Sequence, residues 1–360
     1  MCPSMSYGSS ARRKGTVILE MDDLKKMIFE LSEANGTPGE ENEISDIIEK
    51  YVSGFAEVKK DKFGNVTADM PAGEKTVLLD AHMDRIGMIV THIEDGGFLR
   101  VAKCGGMDAR VLAAQDVTVW GKQPVYGVVT STPPHLSTAE DAKKAKDFDD
   151  ILIDTGLEKS EAEKLISQGD RITVKCPHGE LLNGRVFGAA LDDRAGCAVI
   201  IRAAQLVAER KDRPSVKLLF SGQEETGGDG AVTGSFNLDA NECISVDVSF
   251  ADAPDAPSEK CGKLGKGPMI GIAPVLNYKI SQRLKSLAEG KNIPYQLELM
   301  GDSTGTNADH IAISKGGIKT GLVSIPQRNM HTGVEVISVD DVENSARLIA
   351  EYILGGGLDA

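Results

Sequence analysis

The 360-residue sequence lacks the features that identify several large classes of protein. No apolar stretch reaches the roughly 18 residues that a membrane-spanning helix needs. Lysine and arginine form no cluster, and the formal net charge is −14, whereas nucleic-acid-binding proteins neutralise phosphates with clustered cations. We therefore expect neither a membrane partner nor a nucleic-acid partner.

The six cysteines are scattered, form no Cys-x-x-Cys pair, and lie mostly in apolar or strand-like surroundings. This pattern indicates buried free thiols in a reducing compartment rather than disulfides. The first residues carry basic charges with no apolar segment after them, which differs from a signal peptide. The sequence therefore predicts a cytoplasmic protein whose residues 1–21 form a flexible arm before the first helix.

What the sequence does contain is a large apolar fraction, 41%, which is sufficient for a substantial core. Helical and strand-like patterns alternate near the start of the chain and again beyond residue 184. Between residues 87 and 174 the pattern changes to short strands separated by glycines and charged turns, with one helical segment at 160–166. We predict one α/β domain interrupted by an inserted β-barrel.

Acids and histidines stand at five places where a predicted strand ends or a helix begins, which is where open α/β sheets keep their binding sites. They are His82 and Asp84 in LLDAHMDRIG, Asp192 and Asp193 in GAALDDRAG, Glu224 and Glu225 in SGQEETGG, Asp247 in CISVDVSF, and His331 in SIPQRNMHTG. Each place also has a structural interpretation: His82 fits a core histidine, and Asp193 fits a helix cap.

Together these residues offer two histidines and at least four carboxylates from separate strand ends. Mixed histidine and carboxylate ligands suit zinc, cobalt or manganese, and a bridging carboxylate holds two such ions about 3.5–4 Å apart. Such ions would neutralise the acids. Neighbouring side chains at a strand end project differently, so one of the adjacent glutamates, Glu224 and Glu225, could bind metal while the other acts as a general base.

Six segments resemble the tetrahedral aminopeptidases in their order and spacing: AHMDRIG, ALDDRAG, QEETGGDGA, SVDVSFADAP, LGKGP and MHTGVEV. This di-metal family includes bacterial glutamyl aminopeptidases and relatives described as endoglucanase M. The resemblance covers nearly everything from residue 24 to residue 353. It implies a catalytic domain at 22–88 and 181–356 and an inserted β-barrel dimerisation domain at 89–180.

The resemblance also implies the role of each site residue. His82 and Asp247 would hold one divalent ion, Glu225 and His331 a second, and Asp192 would bridge the two. Glu224 resembles the general base, and Asp84 the carboxylate behind His82. The ions would be zinc or cobalt, with manganese as an alternative. The family often forms a dodecamer built from dimers that admits only peptides.

The sequence departs from the family pattern at three positions. Arg85 stands where glutamate is frequent, Asn329 where tyrosine is usual, and Asn307 where aspartate is frequent. Because neither Arg85 nor Asn329 is at a ligand position, we expect these two departures to change substrate preference more than activity, while Asn307 keeps a polar group and loses a charge. His92, His135, His178 and His310 match no ligand motif of the family.

The leading hypothesis is a metal-dependent aminopeptidase that removes N-terminal residues from short peptides. Deacylation of a small N-acyl compound is an alternative, because the same ions would polarise any amide. Glycoside hydrolysis is less favoured, since the acids would be occupied by metal and only 4% of the residues are aromatic. A non-catalytic assembly protein that has kept the scaffold is the remaining alternative.

Overall fold

The computed structural model describes residues 21–136, 138, 146–254 and 256–359. The predicted N-terminal arm lies outside the described residues except for Met21, where the first helix begins. The described residues form eight α-helices. They are α1 (Met21–Glu33), α2 (Asn42–Val52), α3 (Lys159–Leu165), α4 (Leu191–Val207), α5 (Asp229–Asn237), α6 (Tyr278–Gly290), α7 (Asn307–Ala312) and α8 (Val339–Leu354).

The same residues form seventeen strands in three sheets. They are β1 (Glu57–Lys60), β2 (Val66–Met70), β3 (Thr76–His82), β4 (Gly87–Ile93), β5 (Leu99–Cys104), β6 (Asp116–Trp120), β7 (Pro124–Val129), β8 (Leu152–Asp154), β9 (Arg171–Val174), β10 (Gly179–Leu181), β11 (Arg185–Gly188), β12 (Ser215–Ser221), β13 (Glu242–Phe250), β14 (Met269–Ile272), β15 (Gln296–Leu299), β16 (Lys319–Gln327) and β17 (Glu335–Ser338).

The main sheet has eight strands in the order β1-β2-β12-β3-β13-β16-β14-β15. Its four central strands, β12, β3, β13 and β16, run parallel to one another. These strands are almost continuously apolar because helices cover both faces of the sheet. Their carboxyl ends therefore lie at one edge, where β3 ends at His82 and β12 at Ser221, directly opposite it.

Two cores enclose this sheet. The larger one is formed by side chains of α1, α2, α4, α6 and α8 against one face, and it includes Ile200, Ile349 and Phe220. The smaller one joins α5 and α7 to the other face through Ala231 and Ile311. Helix α5 lies close to β12 because it carries glycines: a Cβ at Gly230 would lie 2.1 Å from the carbonyl oxygen of Gly222.

The inserted segment forms a closed six-stranded barrel in the order β4-β5-β8-β7-β6-β9. It has a separate apolar core that includes Val117, Ile153 and Ile172. A third sheet, β10-β11-β17, joins the chain that leaves the barrel to the strand before α8. No helix in the described ranges is both long and apolar enough to cross a bilayer.

The predicted α/β fold with an inserted β-barrel is confirmed. The boundaries 22–88, 89–180 and 181–356, and the assignment of the barrel to dimerisation, stay predictions. Strands β1 and β2 are separate because the Asp61 carboxylate accepts hydrogen bonds from the backbone N–H groups of residues 63–65 and fixes a turn between them. Helix α5 had no sequence prediction because its glycines obscure the helical pattern.

Candidate active site

The predicted site residues meet at the carboxyl edge of the parallel strands. His82 ends β3, and Asp247 lies near the carboxyl end of β13. Glu224 and Glu225 form a short helical turn just after β12. His331 follows β16, and Asp192 lies in the first turn of α4. The fold thus brings together residues that are far apart in the sequence.

Asp192 lies between the two histidines. One carboxylate oxygen is 3.1 Å from Nε2 of His82, and the other is 3.2 Å from Nε2 of His331. Asp192 and Asp193 have non-helical backbone angles at the start of α4, and the peptide bond between them is cis. Asp193 accepts a hydrogen bond from the N–H of Gly196 at 3.0 Å, as a helix-capping residue would.

Two groups of potential ligands share Asp192. His82, Asp192 and Asp247 form one group, and Asp192, Glu225 and His331 form the other, with the ligand atoms of each group within 4.8 Å of one another. Glu224 lies beside both, with a carboxylate oxygen 3.8 Å from Nε2 of His82. The site is buried, although the Glu224 and His331 side chains keep exposures of 19% and 33% towards the cavity.

Asp84 connects His82 to the pair of glutamates. One of its oxygens lies 3.5 Å from Nδ1 of His82. The same carboxylate accepts hydrogen bonds from the backbone N–H groups of Glu224, at 3.0 Å, and Glu225, at 3.1 Å. Asp84 therefore fixes the turn that directs the two glutamates to different positions, which explains how adjacent like charges are held at one strand end.

Glu335, a residue that sequence reasoning missed, holds the backbone of two proposed ligands. Its buried carboxylate accepts hydrogen bonds from the N–H of Asp192 at 3.1 Å and from the N–H of His331 at 3.0 Å. The signal was present, because Glu335 is a lone acid in the apolar strand VEVIS, as Asp247 is in CISVDVSF, and an unpaired charge in such a strand is costly.

The barrel also reaches the site, through the glycines after β5. Nδ1 of His331 lies 3.2 Å from the carbonyl oxygen of Gly106. Donation from this nitrogen leaves Nε2 free as a ligand, which is how ligating histidines are usually oriented. A Cβ at Gly106 would lie 2.4 Å from Nδ1, so only glycine permits this approach. A backbone carbonyl carries no sequence signal, which is why the contact was not predicted.

The electrostatics of the site favour a cation. Burial raises the pKa of Glu225 and Asp247, and the charge of Asp192 raises them further. Burial also raises the pKa of Glu224. The hydrogen bond to Asp192 raises the pKa of His331 to about 9. Oε1 of Glu225 is buried and has no hydrogen-bond partner among the residues that the structure describes. Crowded carboxylates with an unpaired buried oxygen fit a pair of divalent ions.

The sequence matches the pattern of the family described as M42 glutamyl aminopeptidase over residues 64–348. The chain belongs to this family. It is a metallo-aminopeptidase, which excludes the non-catalytic alternative, and the resemblance noted in the sequence is confirmed.

Three relatives show how far the similarity extends. A lysyl aminopeptidase of Pyrococcus furiosus is 35% identical over 337 residues, which cover 92% of this chain and 96% of the relative. A TET aminopeptidase from a marine sediment Thaumarchaeota archaeon superposes with a TM-score of 0.88 at 31% identity, covering 94% and 98%. The Pyrococcus horikoshii TET1 peptidase, which can assemble into a tetrahedron or a large octahedral shell, gives 0.82 at 30% identity, covering 92% and 99%.

Two cavities adjoin the ligand groups of this M42 chain. The larger, of about 640 Å³, is lined by the proposed ligands and by residues 297–306, which include strand β15 and the loop after it. The smaller, of about 350 Å³, lies where the barrel meets the α/β part. His331 lines both cavities. Any substrate at the ligand groups therefore has space on two sides.

The structure places the three departures from the family pattern at different depths. Asn307 donates a hydrogen bond to the Ser221 hydroxyl at 2.8 Å, and that hydroxyl bonds the buried carboxyl of Asp80. A neutral residue there avoids a second buried acid. Arg85 and Asn329 both line the smaller cavity. His92, His135, His178 and His310 belong to neither ligand group.

Proposed function

We propose that the chain removes N-terminal residues from short peptides by using two divalent ions, zinc or cobalt, held by five ligands. His82 and Asp247 hold one ion, Glu225 and His331 hold the other, and Asp192 bridges them. The observation that carries this proposal is Asp192, whose two carboxylate oxygens face different histidines at 3.1 and 3.2 Å. Manganese suits the same ligands.

Two such ions, when bound, polarise the substrate carbonyl and lower the pKa of water at the site. The chain itself moves the proton. The carboxylate of Glu224 accepts a proton from the attacking water and returns it to the leaving amine. Asp84 fixes the backbone of Glu224 and thereby the position of its side chain. Glu335 and Gly106 fix His331 through its backbone N–H and its ring.

The test is elemental analysis of the purified protein together with chelation. We expect up to two divalent ions per chain and a loss of peptidase activity in chelator. His82→Ala and His331→Ala should each lower occupancy at a different ion, while His92→Ala, on the barrel, serves as the matched control. Less than one tight site per chain, with chelator-resistant activity, contradicts the proposal.

We further propose a preference for a basic first residue. Glu298, in β15, lines the larger cavity, and its carboxylate accepts hydrogen bonds from the hydroxyls of Ser249 and Ser324. Among the described residues no lysine or arginine pairs with it. The neighbouring Leu297 and Met300 offer an apolar wall to a lysine stem. The similarity to a lysyl aminopeptidase supports the same preference.

Hydrolysis of lysyl, leucyl and glutamyl p-nitroanilides tests this preference. Glu298→Gln should lower the lysyl-to-leucyl ratio of kcat/KM by about 10- to 100-fold, the effect of losing one hydrogen bond to a charged group. Glu259→Gln removes an exposed acid from the same cavity and is the control. Equal rates for lysyl and leucyl substrates in the unaltered enzyme would refute the preference.

We also propose that barrel-linked dimers of the chain assemble into a dodecamer. We propose a cytoplasmic location for it. Relatives that assemble into closed shells support the dodecamer. The free cysteines, Cys104, Cys176, Cys197, Cys243 and Cys261, support a reducing compartment. Sedimentation should give a dodecamer, and a fully active monomer at micromolar concentration would exclude it.

A further inference from the structure

The smaller cavity beside His331 contains a buried arginine. We call it the Arg85 cavity. Its wall comprises apolar side chains from both parts of the molecule, and its polar members are Arg85, Gln115, Asn329, His331 and Thr332. Ile86, Met107, Leu112 and Val174 are almost fully buried, whereas Val111 and Val334 are exposed at 38% and 47%. The inner wall of the cavity is thus mainly apolar, and the Arg85 side chain lies in it.

Arg85 is 6% exposed, and its Nε has no hydrogen-bond partner. No hydrogen bond or ion pair of its guanidinium is found within the described part of the chain. Burial lowers the pKa of Arg85, and the charges of Glu335, Cys176 and Glu225 partly offset that effect. Glu335, whose charge has the largest of these offsetting effects, already accepts two backbone hydrogen bonds. A buried guanidinium without a partner points to an anionic ligand.

We propose that the Arg85 cavity binds the second residue of a dipeptide substrate and that the Arg85 guanidinium binds the free carboxylate of that residue. This inference rests on the proposed peptidase function of the adjoining ligand groups. It assigns the enzyme a preference for dipeptides over longer peptides and amides.

The position of His331 supports this assignment. This residue belongs to one ligand group and lines both cavities, so a scissile bond held at the ligand groups has the larger cavity on one side and the Arg85 cavity on the other. With the first residue against Glu298 in the larger cavity, the leaving residue enters the Arg85 cavity. The negative charge of Glu298 then matches the amine of the first residue, and the positive charge of Arg85 matches the carboxylate of the second.

The lining of the Arg85 cavity favours a second residue that has a free carboxylate and an apolar side chain. Arginine binds a carboxylate through two parallel N–H groups, and these bonds are stronger than those to a neutral amide. The side chain of the second residue would meet Met107, Leu112 and Val174 of the barrel. A leucine in the second position fits this lining. A longer peptide would place a neutral amide, with no charge, against Arg85.

The experiment compares Lys-Leu with Lys-Leu amide, which differ only in the group offered to Arg85. We expect kcat/KM for Lys-Leu to exceed that for the amide by about 10- to 100-fold, as for one charge-assisted contact. Arg85→Gln should reduce this ratio to about one, and Arg85→Lys should give an intermediate ratio because lysine keeps the charge and loses the planar fork. Arg110→Gln, which removes an exposed cation paired with Asp108, is the matched control and should keep the ratio.

A second readout does not depend on turnover. Calorimetric titration of Lys-Leu and Lys-Leu amide into metal-loaded Glu224→Gln protein should show tighter binding of the dipeptide, and the added Arg85→Gln change should remove the difference. A ratio near one in the unaltered enzyme overturns the inference even if Arg85→Gln fails to fold. A ratio that survives in both Arg85 variants also overturns it. Failure of the peptidase function would instead appear as no hydrolysis of either compound.

Discussion

The α/β part and the barrel contribute to the site in different ways. The α/β part supplies every proposed ligand as a side chain at a strand end or helix start, namely His82, Asp192, Glu225, Asp247 and His331. The described residues of the barrel supply no ligand. The barrel contributes the carbonyl of Gly106, which orients His331, and apolar side chains of the Arg85 cavity.

This difference shows that an inserted domain can position the residues of a site without supplying a ligand or a catalytic side chain. A ligand needs a particular side chain, whereas orientation needs only a rigid atom at the correct distance. The barrel strands β4 and β5 place the Gly106 loop, and their own core holds them in position. The dimerisation role that the resemblance implies for the barrel therefore does not exclude a contribution of the barrel to the site.

The largest effect should come from the acids of the α/β part. Glu224→Gln keeps the side-chain shape but cannot accept a proton, so turnover should fall by roughly 10²–10⁴-fold while metal content is kept. Glu225→Gln replaces an anionic ligand with a weaker neutral one, so metal content itself should fall. Measuring both quantities on both variants separates the roles. Loss of metal in Glu224→Gln alone would reverse the two assignments.

A smaller effect should come from the barrel. The side chain of Gly106→Ala would displace the His331 ring, since a Cβ there meets Nδ1 at 2.4 Å. We expect metal affinity to weaken about 10- to 100-fold, as when the partner of a ligating histidine is lost. Competition with a coloured chelator measures this. Gly96→Ala, at a barrel glycine where a Cβ would make only an ordinary contact with the Phe98 ring at 3.4 Å, is the control, and equal affinity in both variants would remove the barrel from the site.

The smallest effect concerns stability alone. Ile153→Val in the barrel core and Ile349→Val in the main core each delete one buried methyl group, which costs about 0.5–1.5 kcal/mol. Because the two cores are separate, we expect each change to lower its own calorimetric transition and leave metal content unaffected. A single transition that both variants lower equally would mean that the two parts unfold as one unit.

The sequence predicted the parts of this protein whose chemistry lies in side chains. An acid in an apolar strand, such as Asp247, is costly unless it has a partner, so its presence is informative. The α/β fold and the barrel could be predicted from the periodicity of apolar residues. The role of the Gly106 carbonyl could not be predicted, because every residue has a carbonyl. The Arg85 cavity could not be predicted either, because its wall joins residues from two parts of the fold. Glu335 could have been found in the same way as Asp247, since each is a lone acid in an apolar strand.

Glu335 has a consequence for the order in which the enzyme matures. It joins the backbone at Asp192 to the backbone at His331, and both His331 and Glu335 come after the barrel and the strands of the main sheet in the sequence. A growing chain on the ribosome has made its barrel and most of its sheet before either residue exists. The hydrogen bonds that hold Asp192 and His331 in place therefore form only after synthesis has passed residue 335, and a shorter nascent chain lacks this part of the proposed site.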